Sequence, residues 1–317
     1  MQALRMEQFN ARLFLQRHGA LIVMLVVIAL NSFFTRNFFH VNTMWNAVIN
    51  SFPVLMVALG IMVPIASGGI DISSGSTLAI VACVVAKLLR PMGVPVAVTA
   101  GLLAGCLIGA FIGFFIARFN LLPLIMTLIF LISGRGLAQL VNSGVTISFY
   151  GHPFVNLGTY RIGGQIPIQA AILVIAVLVS YFLFYKTKIG RYVLAIGGNV
   201  NASRLSGANV FMTTVFVYIV SAAYTSVGAV IETARLSSAN ANVMGVAMEL
   251  DAITAVVVGG TPISGGRVNI LGTVYGAVVM QLITITINAN NIPFNWSLVL
   301  KAIVLIVAVY LQQEKKD

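Results

Sequence analysis

Arg135, Gln139 and Asn142 lie at i, i+4 and i+7, in a stretch that carries no other charge between Leu121 and Val141. At helical spacing the three share one face. An arginine inside a membrane span must turn toward protein or water, because lipid does not solvate it. This face offers guanidinium and amide donors, the groups that bind the oxygens of a hydroxyl-rich solute. The competing reading is structural pairing with a neighbouring helix. Asp71, two residues before Ser73, is the one acid placed attractively for coupling transport to an ion gradient. Glu232 and Arg235, at i+3, predict a local ion pair. Glu249 and Asp251 stand at the start of an expected helix, where the dipole favours carboxylates. His18, His40 and His152 have no metal-ligand spacing, and no Ser/His/Asp or Cys/His set emerges. The chemistry on offer is recognition and passage, not catalysis.

Two glycine motifs repeat. Gly68-Gly69-Ile70-Asp71-Ile72-Ser73-Ser74-Gly75 and Gly259-Gly260-Thr261-Pro262-Ile263-Ser264-Gly265-Gly266 share Gly-Gly-x-x-Ile-Ser-x-Gly. Clustered glycines interrupt a helix, which a membrane tolerates only where the freed backbone meets protein or a watery cavity. Gly68, Gly69, Asp71, Ser73, Gly259, Gly260, Thr261 and Ser264 are therefore candidates, with Arg135, Gln139 and Asn142, to flank a translocation path. An ordinary turn capped by Asp71 or Ser73 is the alternative. Gly101, Gly105, Gly109 and Gly113 form a ladder at every fourth position, which predicts close helix packing rather than pore lining. Gly272 and Gly276 repeat it in short form.

The elements that must hold these residues are apolar helices. Of 317 residues 59% are hydrophobic and 8% charged, against roughly 25% charged in a soluble domain. Leu21 to Leu30 and Ala97 to Ile116 carry no charge at all. We expect an all-α integral membrane protein, a single domain over 1–317, of about ten transmembrane helices with discontinuities at the two Gly-Gly motifs. The spans are placed at 19–35, 45–66, 72–89, 95–117, 122–142, 168–186, 212–232, 247–264, 268–288 and 296–312. The apolar stretch after Arg17 runs into Phe33, Phe34 and Arg36 with no small-residue cleavage site, so the first helix is expected to stay. Cys83 and Cys106 fall within spans and read as buried thiols.

The net charge of +11 does not point to nucleic acid, because the basic residues are dispersed and form no face with interleaved aromatics. They follow the positive-inside bias instead. With both termini cytoplasmic, Arg5, Arg12, Arg17, Arg118, Lys186, Lys188, Arg191, Arg204, Arg267, Lys315 and Lys316 lie inside. Arg36, Lys87, Arg90, Arg161 and Arg235 lie outside. Trp45 and Trp296 then sit at the outer headgroup layer, where indole rings are enriched. An outer loop over 143–167 is rich in glycine and aromatics and reads as structured. An inner loop over 187–210 carries the basic cluster and reads as a short helix capped by Asn199 or Asn201.

Within that inner loop, Ala195 to Gly207 resembles the cytoplasmic loop of permeases from the ribose, xylose and galactose branch of bacterial ABC importers. Gly68 to Ser74 resembles the same family's Gly-Gly-Ile-Asp-Leu-Ser signature, with Ile72 where Leu is usual. Glu249 to Ile253, followed by Gly259-Gly260 and Ser264 to Arg267, resembles its second signature. The resemblance implies an inner-membrane permease subunit that pairs with an identical or related second permease. It also implies a cytoplasmic ATP-binding subunit and a periplasmic sugar-binding protein, with Gly198, Asn199, Ala202, Ser203, Arg204, Leu205, Ser206 and Gly207 coupling to the ATPase. Gly134 to Gly136 and Ala239 to Asp251 are most similar to permeases associated with galactofuranose, while pentoses and autoinducer-like furanoses stay open. No Walker-type Gly-x-x-x-x-Gly-Lys-Ser/Thr occurs, so no cofactor is expected in this chain and ATP would be used by the partner. A gradient-driven secondary transporter is the rival, since broken helices and repeats occur there too. A membrane-embedded enzyme is a weaker one, for want of a nucleophile and base.

Overall fold

The computed structural model describes residues 11–34, 38–290, 292–293 and 295–312. Arg5, Arg36, Lys315 and Lys316 lie outside the described residues, and of Arg12, Arg17 and His18 only the backbone is described. The chain is helical almost throughout. Among the described residues six helices are long and apolar enough to cross a membrane.

Helix α1 spans Ala11–Phe34 and α2 spans Val41–Ala66. From Ser51 to Ala66 every residue of α2 is buried, so this helix, apolar on all sides, forms the core of the bundle. It packs chiefly against α9 (Val210–Leu236), α10 (Met248–Val258) and α11 (Ile270–Ala289). Helix α3 runs over Ser74–Phe119 but is broken at Gly93, whose φ of 77° and ψ of 171° reverse the chain. Only glycine reaches that conformation without strain. The two arms fold back on each other, so that Gly101 faces Val85 and Gly105 faces Val81. They are the expected spans 72–89 and 95–117. Cys83 and Cys106 sit one on each arm as free thiols.

The glycine ladder of the second arm lies against α9. A Cβ at Gly109 would stand 2.8 Å from that of Ala222, and one at Gly113 2.8 Å from the Cα of Val215. Both are too close for a side chain, and the ladder exists for helix approach. Helix α4 covers Pro123–Val141. The segment over 143–167 is ordered by two small ladders. Strand β1 (Ile147–Ser148) pairs antiparallel with β4 (Ser238–Ala239), and β2 (Arg161–Ile162) with β3 (Ile166–Pro167). Within it, α5 (Asn156–Thr159) brings Gly158 against the Arg235 backbone of α9. Helix α6 spans Ile168–Lys186, followed by α7 (Lys188–Gly198) and α8 (Val200–Leu205). The last helix, α12, is Asn295–Gln312.

One element departs from its expected length. The span placed at 247–264 is an eleven-residue helix, Met248–Val258. At 1.5 Å per residue it is about 16 Å long, roughly half of a ~30 Å hydrocarbon core. Before it, residues 241–247 form turns, and Gly245 abuts the Gly75 backbone. After it comes a non-helical loop to α11. The apolar run of Val256 to Val258 reads as a continuing helix, yet the helix stops there.

Asp251 of this short helix makes an ion pair at 2.6 Å with Lys301 of α12. Both are largely buried. Removing one partner leaves the other uncompensated, which costs about 3 kcal/mol or more. Lys301→Met should therefore lower the thermal midpoint of the detergent-solubilised protein. The double variant Lys301→Met/Asp251→Leu should recover most of the loss; a double variant no better than the single would show that the pair is not the cause.

Candidate functional site

The two Gly-Gly motifs end their helices in the same way. At the end of α2 the Gly68 amide donates to the Ile65 carbonyl and the Gly69 amide to Pro64, with Gly68 left-handed at φ 82°. At the end of α10 the Gly260 amide donates to Val257 and the Thr261 amide to Val256, with Gly260 at φ 90°. This pair of bonds is the Schellman cap, which satisfies the last helix carbonyls. The left-handed glycine is the first of the pair in one motif and the second in the other, so the structural repeat is offset by one residue from the sequence repeat.

The two capped loops then meet. The Gly266 amide donates to the Ala66 carbonyl at 3.0 Å. A Cβ at Gly265 would lie 2.7 Å from the Gly68 nitrogen and 3.0 Å from the Gly197 Cα. Gly197, at the end of α7, is wedged against the Ala66 carbonyl and the Gly266 amide. Three backbone segments thus touch without intervening side chains: the end of α2, the second motif loop and the end of α7. The remaining glycine, Gly259, packs on the Gly272 and Thr273 backbone of α11. Thr261 is fully buried, and its hydroxyl accepts from the Asn269 amide, whereas Gly68 and Ser264 are exposed.

Asp71 is drawn into the protein. It is 4% exposed, and its two oxygens accept from the Ser73 amide (2.9 Å), Ser73 hydroxyl (2.6 Å), Ser221 hydroxyl (2.7 Å) and Ser74 hydroxyl (3.4 Å). It thereby closes the turn that leads into α3 and ties it to α9. Sequence reasoning found Asp71 and Ser73 but not Ser221, whose partner is 150 residues away. Tyr218, one turn earlier on α9, places its buried hydroxyl over Gly69.

Arg135 and Gln139 both reach the turn segment before α10. One Arg135 Nη donates to the carbonyls of Ala241 (2.9 Å) and Met244 (2.5 Å), and the Gln139 amide donates to the Asn242 side chain at 2.7 Å. Backbone carbonyls outside a helix or strand need such partners where they are packed away from water. Asn142 accepts from the Gly144 amide as the chain leaves α4, with its own amide nitrogen buried and unbonded. The three side chains share a face, as their spacing requires, and its first two members hold a broken segment. Glu249 is buried beside Gly75, and the pair Glu232–Arg235 forms with two contacts of 2.8 and 2.9 Å.

At the same end of the bundle as the glycine contacts, the Asn199 side chain accepts from the Ala202 amide at 3.0 Å and caps α8. Of the two asparagines allowed by the sequence, Asn199 is the cap. Ser203 is buried and bonds back to the Asn199 carbonyl, while Ala202, Arg204, Ser206 and Gly207 are exposed and Leu205 is 90% exposed. A leucine so bare on a six-residue helix is an apolar knob flanked by a cation.

Long apolar helices, the turns between them and polar side chains satisfied inside the bundle together define a multi-span membrane protein. The sequence comparisons are more specific. A family model described as branched-chain amino acid transport system / permease component matches residues 43–309, and the chain belongs to this family. It is 33% identical over 313 residues to the ribose import permease protein of Escherichia coli K12, covering 98% of this chain and 97% of that one. It is 32% identical to the galactose/methyl galactoside import permease of the same organism, covering 99% and 98%. The galactofuranose transporter permease of that organism is 29% identical over 83% of this chain and 77% of its own. No solved structure is a significant match. The chain is thus a transport permease component of the inner membrane, not an enzyme.

Proposed function

We propose that this chain is the membrane-spanning subunit of an ATP-driven importer that carries a monosaccharide, a pentose or hexose, across the bacterial inner membrane. The relatives named for ribose, galactose and galactofuranose import support the solute class. In this reading the topology has ten crossings, counting the two arms of α3 and the short α10, with both termini cytoplasmic. A second permease subunit, a cytoplasmic ATP-binding subunit and a periplasmic sugar-binding protein complete the assembly, with lipid around it and no nucleic acid. The chain needs no cofactor of its own.

The observation that carries the coupling is the exposed α8 knob joined through α7 to the two Gly-Gly loops. Motion of an ATPase that grips Leu205 and Arg204 passes along α7 to Gly197, and there meets both helix breaks by backbone contact. Gly68, Gly69, Gly260 and Ser264 then lie where a path at the inner end opens and closes. Arg135 and Gln139 hold the outer half of the broken segment in place. Such switching needs an element with two discrete arrangements, and two capped loops in contact supply one.

Arg204→Glu inverts the charge of the knob on a fully solvated turn, so folding is untouched. In vesicles holding the whole complex, uptake and solute-stimulated ATP hydrolysis should both fall about tenfold or more, as for charge reversal at an interface. Sugar binding by the separate periplasmic protein should not change. Normal uptake in Arg204→Glu, or uptake by this chain with no ATPase present, would overturn the assignment.

A further inference from the structure

At the end of the bundle away from α8, helices α2, α9 and α11 border an open cleft of about 540 Å³ lined by Asn50, Arg235, Gln281, Ile285, Asn288 and Ala289, with Gln281 half-buried and Asn288 exposed. That volume lies within the ~300–1,000 Å³ typical of small-molecule sites. Four of the six lining residues are polar, drawn from three different helices. A glutamine inside a membrane helix is costly unless it faces protein or a watery cavity. Gln281 and Asn288 stand seven residues apart on α11 and so share a face. Neither side-chain amide has a hydrogen-bond partner among the described residues.

The charge of the cavity is settled by one ion pair. Arg235 grips Glu232 through Nε at 2.9 Å and through Nη2 at 2.8 Å, and its Nη1 donates to the Asn50 side-chain oxygen at 3.0 Å. Arginine has five N–H donors, so two are left over. With the guanidinium neutralised by the carboxylate, the wall carries no net charge but is rich in fixed donors and amide acceptors. An anion meets no unpaired cation there, and a cation meets no free carboxylate. A neutral solute whose hydroxyls both donate and accept meets complementary groups on three helices.

From this arrangement we infer that the cavity is a binding station for a neutral polyhydroxylated solute, with Gln281 and Asn288 as the side chains that contact it and the Arg235–Glu232 pair as the group that positions Asn50. The inference rests on the monosaccharide-importer reading and adds to it the place where the solute is held. The position on the entry side, opposite the coupling knob, makes it the first polar surface a sugar meets on leaving a periplasmic carrier. It also separates recognition from the Arg135 face, whose donors are engaged with backbone.

The test uses the full complex in vesicles, with D-ribose and D-galactose as probes and ribose 5-phosphate as the charged comparison. Gln281→Leu and Asn288→Leu keep side-chain volume and helix propensity while removing the amide. Each should raise the half-saturating concentration for the carried sugar about five- to tenfold, the loss of one or two hydrogen bonds to a neutral group. The loss should fall on the half-saturating concentration more than on the maximal rate of uptake. Gln281→Asn and Asn288→Gln should recover part of the affinity, which a purely structural role would not predict. As a second readout, Asn288→Cys should react with a water-soluble thiosulfonate, and the carried sugar should slow that reaction while ribose 5-phosphate should not. Sugar uptake that is intact in wild type and unchanged in both leucine variants would overturn the station and leave the importer reading standing. Absence of sugar uptake by the wild-type complex would overturn both.

Discussion

Gly197→Val is expected to reduce uptake by at least about tenfold while the protein still inserts and accumulates. The new side chain would drive into the Ala66 carbonyl and the Gly266 amide, which are backbone atoms of both motif loops and have no rotamer by which to yield. Overpacking of this kind costs about 1–3 kcal/mol in a packed site. Here the strain falls on a contact that has to be remade in each transport cycle. The neighbouring glycine provides the control. A Cβ at Gly198 meets nothing within 4 Å, so Gly198→Ala should transport like wild type although it lies one residue away. Gly265→Ala should resemble Gly197→Val, because its φ of 82° and its approach to the Gly68 nitrogen leave no room. The measurement is uptake and ATP hydrolysis on the same vesicles. Coupling through this contact predicts hydrolysis that persists, or rises, without matching uptake. Equal activity of the Gly197 and Gly198 variants would show that the contact transmits nothing.

The glycines illustrate how far a sequence can be read. Helix interruption at Gly68 and Gly260 was legible because clustered glycine has few other uses between apolar segments. The convergence of Gly197 with them was not, because it joins segments that are far apart in the chain and have no side chains to betray a match. The ends of α2, α6 and α11 follow from composition, and so do the two arms of α3. The shortening of the 247–264 span is the second Gly-Gly cap again, since the helix starts at Met248 and stops at Val258. The turn segment before it is held by Arg135, 106 residues earlier at Ala241. The stripe of Arg135, Gln139 and Asn142 was visible by spacing, but spacing gives a shared face and not a partner. Lys301 went unnoticed as a lone cation near the chain's end; its buried position against Asp251 is a tertiary fact. Gln281 and Asn288, two amides at i and i+7 of one helix, share a face by spacing, but spacing alone does not tell such a pair from the other polar residues of α11.

Asp71 separates the two energy sources. A carboxylate that accepts from four donors while 4% exposed is a structural anchor, and hydrogen bonds to a charged group contribute about 1.5–3 kcal/mol each. Asp71→Leu should therefore fail broadly, with lost accumulation and a lowered thermal midpoint, whichever mechanism operates. Asp71→Asn is the informative variant. Its side-chain oxygen still accepts from the Ser73 amide and hydroxyl, and its amide can donate to Ser221, whose hydroxyl oxygen is able to accept. The turn before α3 and its tie to α9 should then survive, with uptake within about threefold of wild type. Asparagine carries no titratable proton. In a gradient-driven transporter that used this acid for coupling, the same change would abolish accumulation against a gradient while leaving the protein folded. The decisive comparison is uptake by Asp71→Asn with ATP present and the proton gradient collapsed by an ionophore. Retained uptake there assigns the energy to ATP, whereas a well-folded variant with no uptake would return Asp71 to the centre of a gradient-coupled mechanism.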